Sequence, residues 1–391
     1  MKSSYSDRFE LMILIPIFIL LMINTFTRTQ FDVLRDIGDM GIHITLILMF
    51  ILLVKGFVEK RSFDVKLSMI YFSACLFLTM YSASFYLSKN VDELYVLKLM
   101  LFISFIVSSV RMKWGPLHIR ILAHLVGAVT LIIFFHWILL NFPGYRFKSI
   151  FSNPNYLAIL LYTLLYYKLL ATKYGNTLER IYFGFLIIIN LILIYNTNSR
   201  AVMLAIGVTV GVWILFKFAE NVIPYIFRMV IIMNIAFIFT YILMQNSNVG
   251  VILNNLSLKL FGKSLYSGRS VLWDEIIQKI TDKPIFGYGI GTNANDITSI
   301  NLTAHNQYLQ MLIEFGAIGF IIFFILLNSI WKLYMKKREN YAARLSASFF
   351  IGILVYENLE LTLFQNNYSI AMLQWLIITM GINFGSKDNK E

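Results

Sequence analysis

The stretch LMILIPIFILL, residues 11–21, and its later counterpart FLIIINLILI, residues 185–194, decide the architecture. Neither alternates apolar and polar positions, so neither suits a strand of a transmembrane barrel. Both sit in apolar blocks of about 17 to 25 residues, long enough at ~1.5 Å per residue to cross a hydrocarbon core of ~30 Å. Such blocks recur along the 391 residues. The chain is 58% hydrophobic, 16% aromatic and only 14% charged. Soluble domains carry about 25% charged residues, so a cytosolic enzyme is excluded. The fold class is all-α: a polytopic membrane protein in which residues 1–391 form a single membrane domain.

Uncharged apolar windows predict twelve transmembrane helices, at 10–27, 42–58, 66–87, 94–110, 119–140, 155–171, 180–197, 200–218, 222–244, 305–331, 342–359 and 368–384. The first is followed by Asn24, Thr25, Phe26, Thr27 and Arg28, without a small-residue cleavage site, and reads as a retained anchor. An even number of spans places both termini on one side. Segments on that side hold 21 of the 33 lysines and arginines, Lys168 among them, whereas the short segments opposite hold 7. The positive-inside rule therefore makes both termini cytoplasmic, and topology accounts for the net charge of +12 without a nucleic-acid partner. The single cysteine, Cys75, permits no internal disulfide and is expected in the packing.

Most connections are short, but residues 245–304 form a long extracytoplasmic segment between the ninth and tenth windows, and loops of that length are usually functional. Within it Ser270 can cap a helix whose first turn carries Asp274 and Glu275. Leu272, Trp273, Ile276, Ile277 and Ile280 share one face, and Pro284 would stop it. This pattern predicts an amphipathic helix over 271–281, lying on the membrane surface.

Three stretches on the same side are unusually polar. The first is NFPGYRFKSIFSNPNYLA, residues 141–158, with Arg146 and Lys148. The second runs from Tyr195 to Ala201 and leaves Arg200 at a helix start. The third comprises residues 267–296 and 304–320, with Arg269 and His305. The run Ser267-Gly268-Arg269, Trp273, Asp282-Lys283-Pro284, Gly287-Tyr288-Gly289, His305-Asn306, Tyr308-Leu309, Glu314 and Gly316 to Gly319 resembles the signature of the O-antigen ligase and polymerase family. Ser199-Arg200 and Asn153-Pro154-Asn155 resemble two further elements of that family, in the expected order. The resemblance covers residues 141 to 325; the preceding part matches only as a string of membrane helices.

What the resemblance implies is a glycosyltransferase of the C-type superfamily in the bacterial cytoplasmic membrane, with its active site facing outward. Its substrates would be undecaprenyl-diphosphate-linked oligosaccharides, as donor and acceptor, drawn from the surrounding membrane lipid. A chain-length regulator and a flippase are candidate partners. The family pattern places its catalytic histidine at His305.

The chemistry of the residues agrees with this. Transfer from a polyprenyl diphosphate breaks a sugar C1–O bond and leaves a pyrophosphate, which needs cations for its charge but no general acid. The arginine fork binds phosphate oxygens in pairs, making Arg200, Arg269 and Arg146 the candidates for diphosphate binding. Arg200 also stands where the helix dipole favours an anion. The acceptor hydroxyl must lose a proton, a role His305 can fill at neutral pH, and two flanking cations favour the neutral imidazole a base requires. Asn306, Tyr308, Glu314 and Glu357 are supporting candidates, and Glu357 and Glu360 are expected near a sugar site. The other histidines, His43, His118, His124 and His136, read as interhelical hydrogen-bonding groups, and the glycines at 287, 289 and 291 as a turn.

No acidic or histidine cluster has metal-ligand spacing, so neither metal nor cofactor is expected. Inversion is expected, because a single displacement needs one base and no protein nucleophile, and no carboxylate sits convincingly beside the motif residues as one. The leading reading is a polymerase that joins repeat units into a capsule, O-antigen or exopolysaccharide chain. A ligase transferring finished glycan to lipid A core is the alternative within the family. A lipid-linked sugar flippase or transporter is the alternative from another class; against it, no internal repeat is found and the polar residues gather at the outer face instead of the midplane.

Overall fold

A backbone in lipid has no water to bond and must satisfy its own amides, which long apolar segments do by coiling. The computed structural model describes residues 2–59, 64–87, 93–244, 247–262, 264, 266 and 269–385. The motif residues Ser267 and Gly268 lie outside the described residues. So do Lys60, Arg61, Lys89, Lys263, Lys387 and Lys390 of the charge count. In chain order the described helices are α1 (Lys2–Ile23), α2 (Asp32–Val58), α3 (Ser68–Leu87), α4 (Glu93–Arg111), α5 (Pro116–Leu139), α6 (Pro154–Tyr174), α7 (Thr177–Thr197) and α8 (Arg200–Phe218). They continue with α9 (Ile223–Met244), α10 (Asn248–Phe261), α11 (Arg269–Asp282), α12 (Ala294–Ile297), α13 (Gln307–Lys336), α14 (Tyr341–Tyr356) and α15 (Tyr368–Met380). Among the described residues no strand forms beyond two isolated bridges.

Among the described residues nine helices are long and apolar enough to cross a membrane: α1 to α5, α7 to α9 and α13. Nine of the twelve expected spans thus meet that criterion, and the other three fall short of it for identifiable reasons. Five tyrosines with Lys168 and Lys173 dilute α6. With 16 and 13 residues, α14 and α15 rise only about 24 and 20 Å. These three helices are the most deeply buried part of the bundle. Tyrosine hydroxyls of α6 join it to its neighbours, Tyr162 to Thr209 of α8 at 2.7 Å, Tyr166 to Ser346 of α14 at 2.8 Å and Tyr167 to the Leu373 carbonyl of α15 at 2.7 Å. Surrounding helices expose apolar side chains, such as Phe135 of α5, Ile188 of α7 and Ile232 of α9, as a lipid-facing surface requires.

Two residues lie elsewhere than expected. Lys168 is fully buried inside the bundle, where its ammonium donates to Thr130 of α5 at 2.8 Å and to Asn190 of α7 at 2.5 Å. It is therefore a core residue and drops out of the loop charge count. Cys75, expected in the packing, is exposed on α3.

Helix α13 is broken at Gly316, whose backbone takes φ 58° and ψ −157°. The chain after α11 fills the break. Tyr288 N donates to the Ile313 carbonyl at 2.7 Å, Gly289 N to the Glu314 carbonyl at 3.0 Å, and Ala317 N returns to the Pro284 carbonyl at 2.8 Å. These bonds satisfy groups that the break would otherwise leave unpaired. Glycine is required on both sides: Gly287 has φ 72°, and a Cβ there would lie 2.6 Å from the Ile313 carbonyl oxygen.

The helix expected within the long segment begins at Arg269, so Ser270 lies inside its first turn, and its Oγ has no partner among the described residues. Leu272, Trp273 and Ile276 are buried. Trp273 donates to the Ala304 carbonyl at 2.8 Å and its ring lies 5.0 Å from that of Tyr241 on α9. The face expected on the membrane surface instead packs against protein.

Candidate functional site

The site forms where the N-terminus of α13, the start of α11, the start of α6 and the loop between α14 and α15 meet. Asn306 caps α13: its Oδ1 accepts from Tyr308 N at 2.9 Å and Leu309 N at 3.0 Å, while Nδ2 donates to the Asn358 carbonyl at 3.1 Å. His305, immediately before the cap, takes φ 47°, a left-handed conformation uncommon outside glycine. This aims its ring at the loop running from Glu357 to Phe364. There Glu360 Oε2 lies 3.2 Å from His305 Nδ1.

The other oxygen of Glu360 faces two more donors, Arg269 Nη2 at 3.3 Å and Asn155 Nδ2 at 3.3 Å. Glu360 is thus a hub for residues from three distant parts of the chain. Burial pushes its carboxyl up, but the hydrogen bond from His305 and the Arg269 charge outweigh it, holding the group below the usual carboxylate range. An ionised carboxylate only accepts, so His305 donates from Nδ1, and in the neutral imidazole Nε2 is the nitrogen left to accept a proton.

The loop that presents Glu360 is irregular and held by hydrogen bonds to its neighbours. Glu357 is buried, its carbonyl accepts from Gln307 N at 2.9 Å, and its carboxylate accepts from Thr362 N at 2.9 Å and from the Thr362 hydroxyl. Gln374 of α15 donates to Thr362 Oγ1 at 3.0 Å, and Trp375 donates to the Leu363 carbonyl at 2.9 Å. Irregular backbone buried in a bundle persists only when paired in this way. Glu357 therefore supports the loop from within.

The remaining candidates separate into two groups. Arg200 begins α8 and reaches toward α10, with Nη1 3.0 Å from Ser257 Oγ and Nη2 3.3 Å from the Ser264 carbonyl. Arg146 is exposed, with φ 50°; its neighbour Phe147 donates from N to the Asn196 carbonyl at 3.0 Å, which fastens that loop beside the start of α8. Among the described residues neither arginine hydrogen-bonds to the Glu360 cluster, although both occupy the same end of the bundle. Tyr308 and Glu314 lie inside α13 and join elements. Tyr308 donates to the Leu354 carbonyl at 2.7 Å and accepts from Asn234 at 2.8 Å. Glu314 accepts from Gln310 at 2.6 Å and from Gly291 N at 3.2 Å.

Two expectations change. His305 is hydrogen-bonded to the Glu360 carboxylate, where two flanking cations were expected. A carboxylate does stand beside the motif residues, because folding brings Glu360 to Arg269 and His305. Asn155 is the other addition, and the sequence Asn153-Pro154-Asn155 contained its signal. Asn153 caps α6 by accepting from Asn155 N at 2.8 Å, Pro154 takes the first helical position, and Asn155 is left to reach Glu360. Of the other histidines, His124 bonds another helix, with Nε2 3.5 Å from Glu179 of α7. His43, His118 and His136 bond the Asp39 carbonyl, Gly115 N and Ser149 Oγ nearby.

No curated protein matches the chain. Asn155 and Glu360 lie on either side of a stretch that a family model covers. Residues 185–324, from α7 into α13 and including Arg200, Arg269 and His305, match the O-antigen ligase family, in agreement with the resemblance carried by the motifs.

Proposed function

We propose that the protein is a metal-independent, inverting membrane glycosyltransferase that polymerises undecaprenyl-diphosphate-linked oligosaccharide repeat units on the outer face of the cytoplasmic membrane. Its product is a capsule, O-antigen or exopolysaccharide chain. The observation that carries this reading is the Glu360 carboxylate, bonded at once to His305 and Arg269. In the proposed step His305 Nε2 takes the proton from the acceptor hydroxyl, whose oxygen forms a bond to C1 of the donor sugar. The C1–O bond to the diphosphate breaks, and undecaprenyl diphosphate departs with its electron pair. Arg269 meets the developing phosphate charge, and Arg200 and Arg146 hold the diphosphate from the adjoining loops. Glu360 orients His305 and stabilises the imidazolium that results, as a carboxylate does behind a general base. With three donors on it, Glu360 is a poor nucleophile, which favours one inverting displacement over a covalent intermediate.

In the topology we propose, α6, α14 and α15 complete twelve membrane-crossing helices, with both termini cytoplasmic and residues 245–304 extracytoplasmic. The charge asymmetry supports it even without Lys168.

The test is reconstitution of purified protein in liposomes with an undecaprenyl-diphosphate-linked repeat unit, with products separated by size. A ladder from the unaltered protein that is absent from His305→Ala and Arg269→Ala, both shown to be inserted, is the expected result. Transfer seen only when lipid A core is supplied makes the protein a ligase. No transfer to either acceptor, with movement of the lipid-linked sugar between leaflets, makes it a transporter.

A further inference from the structure

We infer that the protein holds an anionic phospholipid at the end of the bundle opposite His305. His305 and Lys337 flank the two ends of α13, and a cavity of about 1060 Å³ adjoins Lys337. It lies among the C-terminal ends of α2 and α4, the start of α5 and the chain after α15. Its lining brings together Lys66, Arg111, Lys113 and Lys337 against a single carboxylate, Asp64.

Two of the cations are tied to backbone carbonyls and keep further donors: Lys337 Nζ donates to the Ile382 carbonyl at 2.5 Å. Arg111 is fixed by the Phe57 ring, 4.2 Å from its guanidinium, and by a bond from Nη2 to the Gly56 carbonyl at 3.1 Å. Its Nη1 is buried and has no hydrogen-bond partner among the described residues. Burial and the neighbouring Lys66 charge push the Lys337 ammonium below its usual range, with Asp64 opposing them. Like charges gathered at a partly desolvated cavity repel, and a bound anion offsets that cost.

The rest of the lining selects the kind of anion. Leu11, Leu52, Leu53 and Leu117 form an apolar wall beside the cations. A free phosphate ion would satisfy the charges and leave this wall bare. A phospholipid places its phosphate among the cations and its acyl chains along the leucines, as basic pockets between membrane helices do. None of the cationic residues contributes to the Glu360 cluster, so the inference stands independently of the proposed transferase reaction.

Native mass spectrometry of the purified full-length protein tests it. The protein is titrated with phosphatidylglycerol and with phosphatidylcholine of the same acyl chains, each with and without millimolar inorganic phosphate. The expected result is a phosphatidylglycerol adduct that phosphatidylcholine does not form and inorganic phosphate does not remove. Retention should weaken by about tenfold in Lys66→Gln/Lys113→Gln, a variant of two exposed side chains that leaves the core intact. Arg111→Gln should weaken it too, and the double variant keeps the test decisive should Arg111→Gln fail to fold. Equal retention of both lipids, or an adduct unchanged in the double variant, overturns the inference. Displacement by inorganic phosphate assigns the cavity to a free anion and also overturns it.

Discussion

Glu360 Oε2 lies 3.2 Å from His305 Nδ1, and the same carboxylate holds Arg269 at 3.3 Å through its other oxygen. One side chain thus positions both the proposed base and a proposed phosphate ligand. Glu360→Gln keeps the shape and removes the charge that stabilises a protonated His305. Turnover of the reconstituted protein is expected to fall by about 10²- to 10⁴-fold, with a smaller change in KM for the lipid-linked donor. A positioning role also predicts partial rescue by Glu360→Asp, which restores the charge. Turnover of Glu360→Gln within about threefold of the unaltered protein would remove Glu360 from the mechanism.

The same carboxylate predicts an acid-side loss of stability. Held below its usual range in the folded protein, it binds a proton less readily there than in the unfolded chain. Its contribution is therefore full above the unfolded value of about 4.3 and is lost as pH falls through the lower folded value. The melting temperature in detergent should drop more steeply between roughly pH 5 and roughly pH 3 than that of Glu360→Gln, which has no proton to take up at this position. Parallel curves would show that the ion pairs around Glu360 contribute nothing to stability.

Arg269 and Arg200 should respond differently to replacement. Arg269→Lys keeps a charge but loses the fork that serves Glu360 and a phosphate together, so KM for the donor is expected to rise by about tenfold. Arg200 is pinned by Ser257 and the Ser264 carbonyl. Ser257→Ala frees one of its nitrogens at a cost of about 1 kcal/mol and tests whether that pin matters for catalysis. If Ser257→Ala matches Arg200→Ala in donor KM, Arg200 acts through its position; if only Arg200→Ala raises KM, its charge is what the donor meets.

The helices were legible in the sequence because lipid leaves a spanning segment few backbone conformations, so non-alternating apolar runs near residues 11 and 185 could mean little else. Their edges were less legible. The window expected to end at 359 ends as α14 at Tyr356, because Glu357 to Phe364 form a buried loop, and α15 ends at Met380, short of the expected 384. His305 and Arg269 stood out through local motifs. Glu360 as their common partner did not, being 55 residues from His305, 91 from Arg269 and 205 from Asn155, separations at which no spacing rule operates. Lys168 escaped for the same reason: Thr130 and Asn190, which accept from its ammonium in the core, are 38 and 22 residues away.

The break in α13 makes the most direct structural prediction. Gly316 has φ 58°, and a Cβ there would collide with the Ile285 carbonyl; Gly287, across the contact, has φ 72° and meets the Ile313 carbonyl in the same way. Gly316→Ala and Gly287→Ala should each destabilise by about 1 to 3 kcal/mol, read as melting temperature in detergent. The two glycines serve one contact, so once either is replaced the strands of chain have already moved apart and the second change finds less to disturb. The double variant should accordingly lose less than the sum of the singles. Additive losses would mean that the positions are strained independently, and unchanged melting in Gly316→Ala would mean that α13 can run straight. Activity discriminates further: the segment that fills the break runs on to Ala304 and His305, so its displacement should depress turnover in variants that remain folded at the assay temperature.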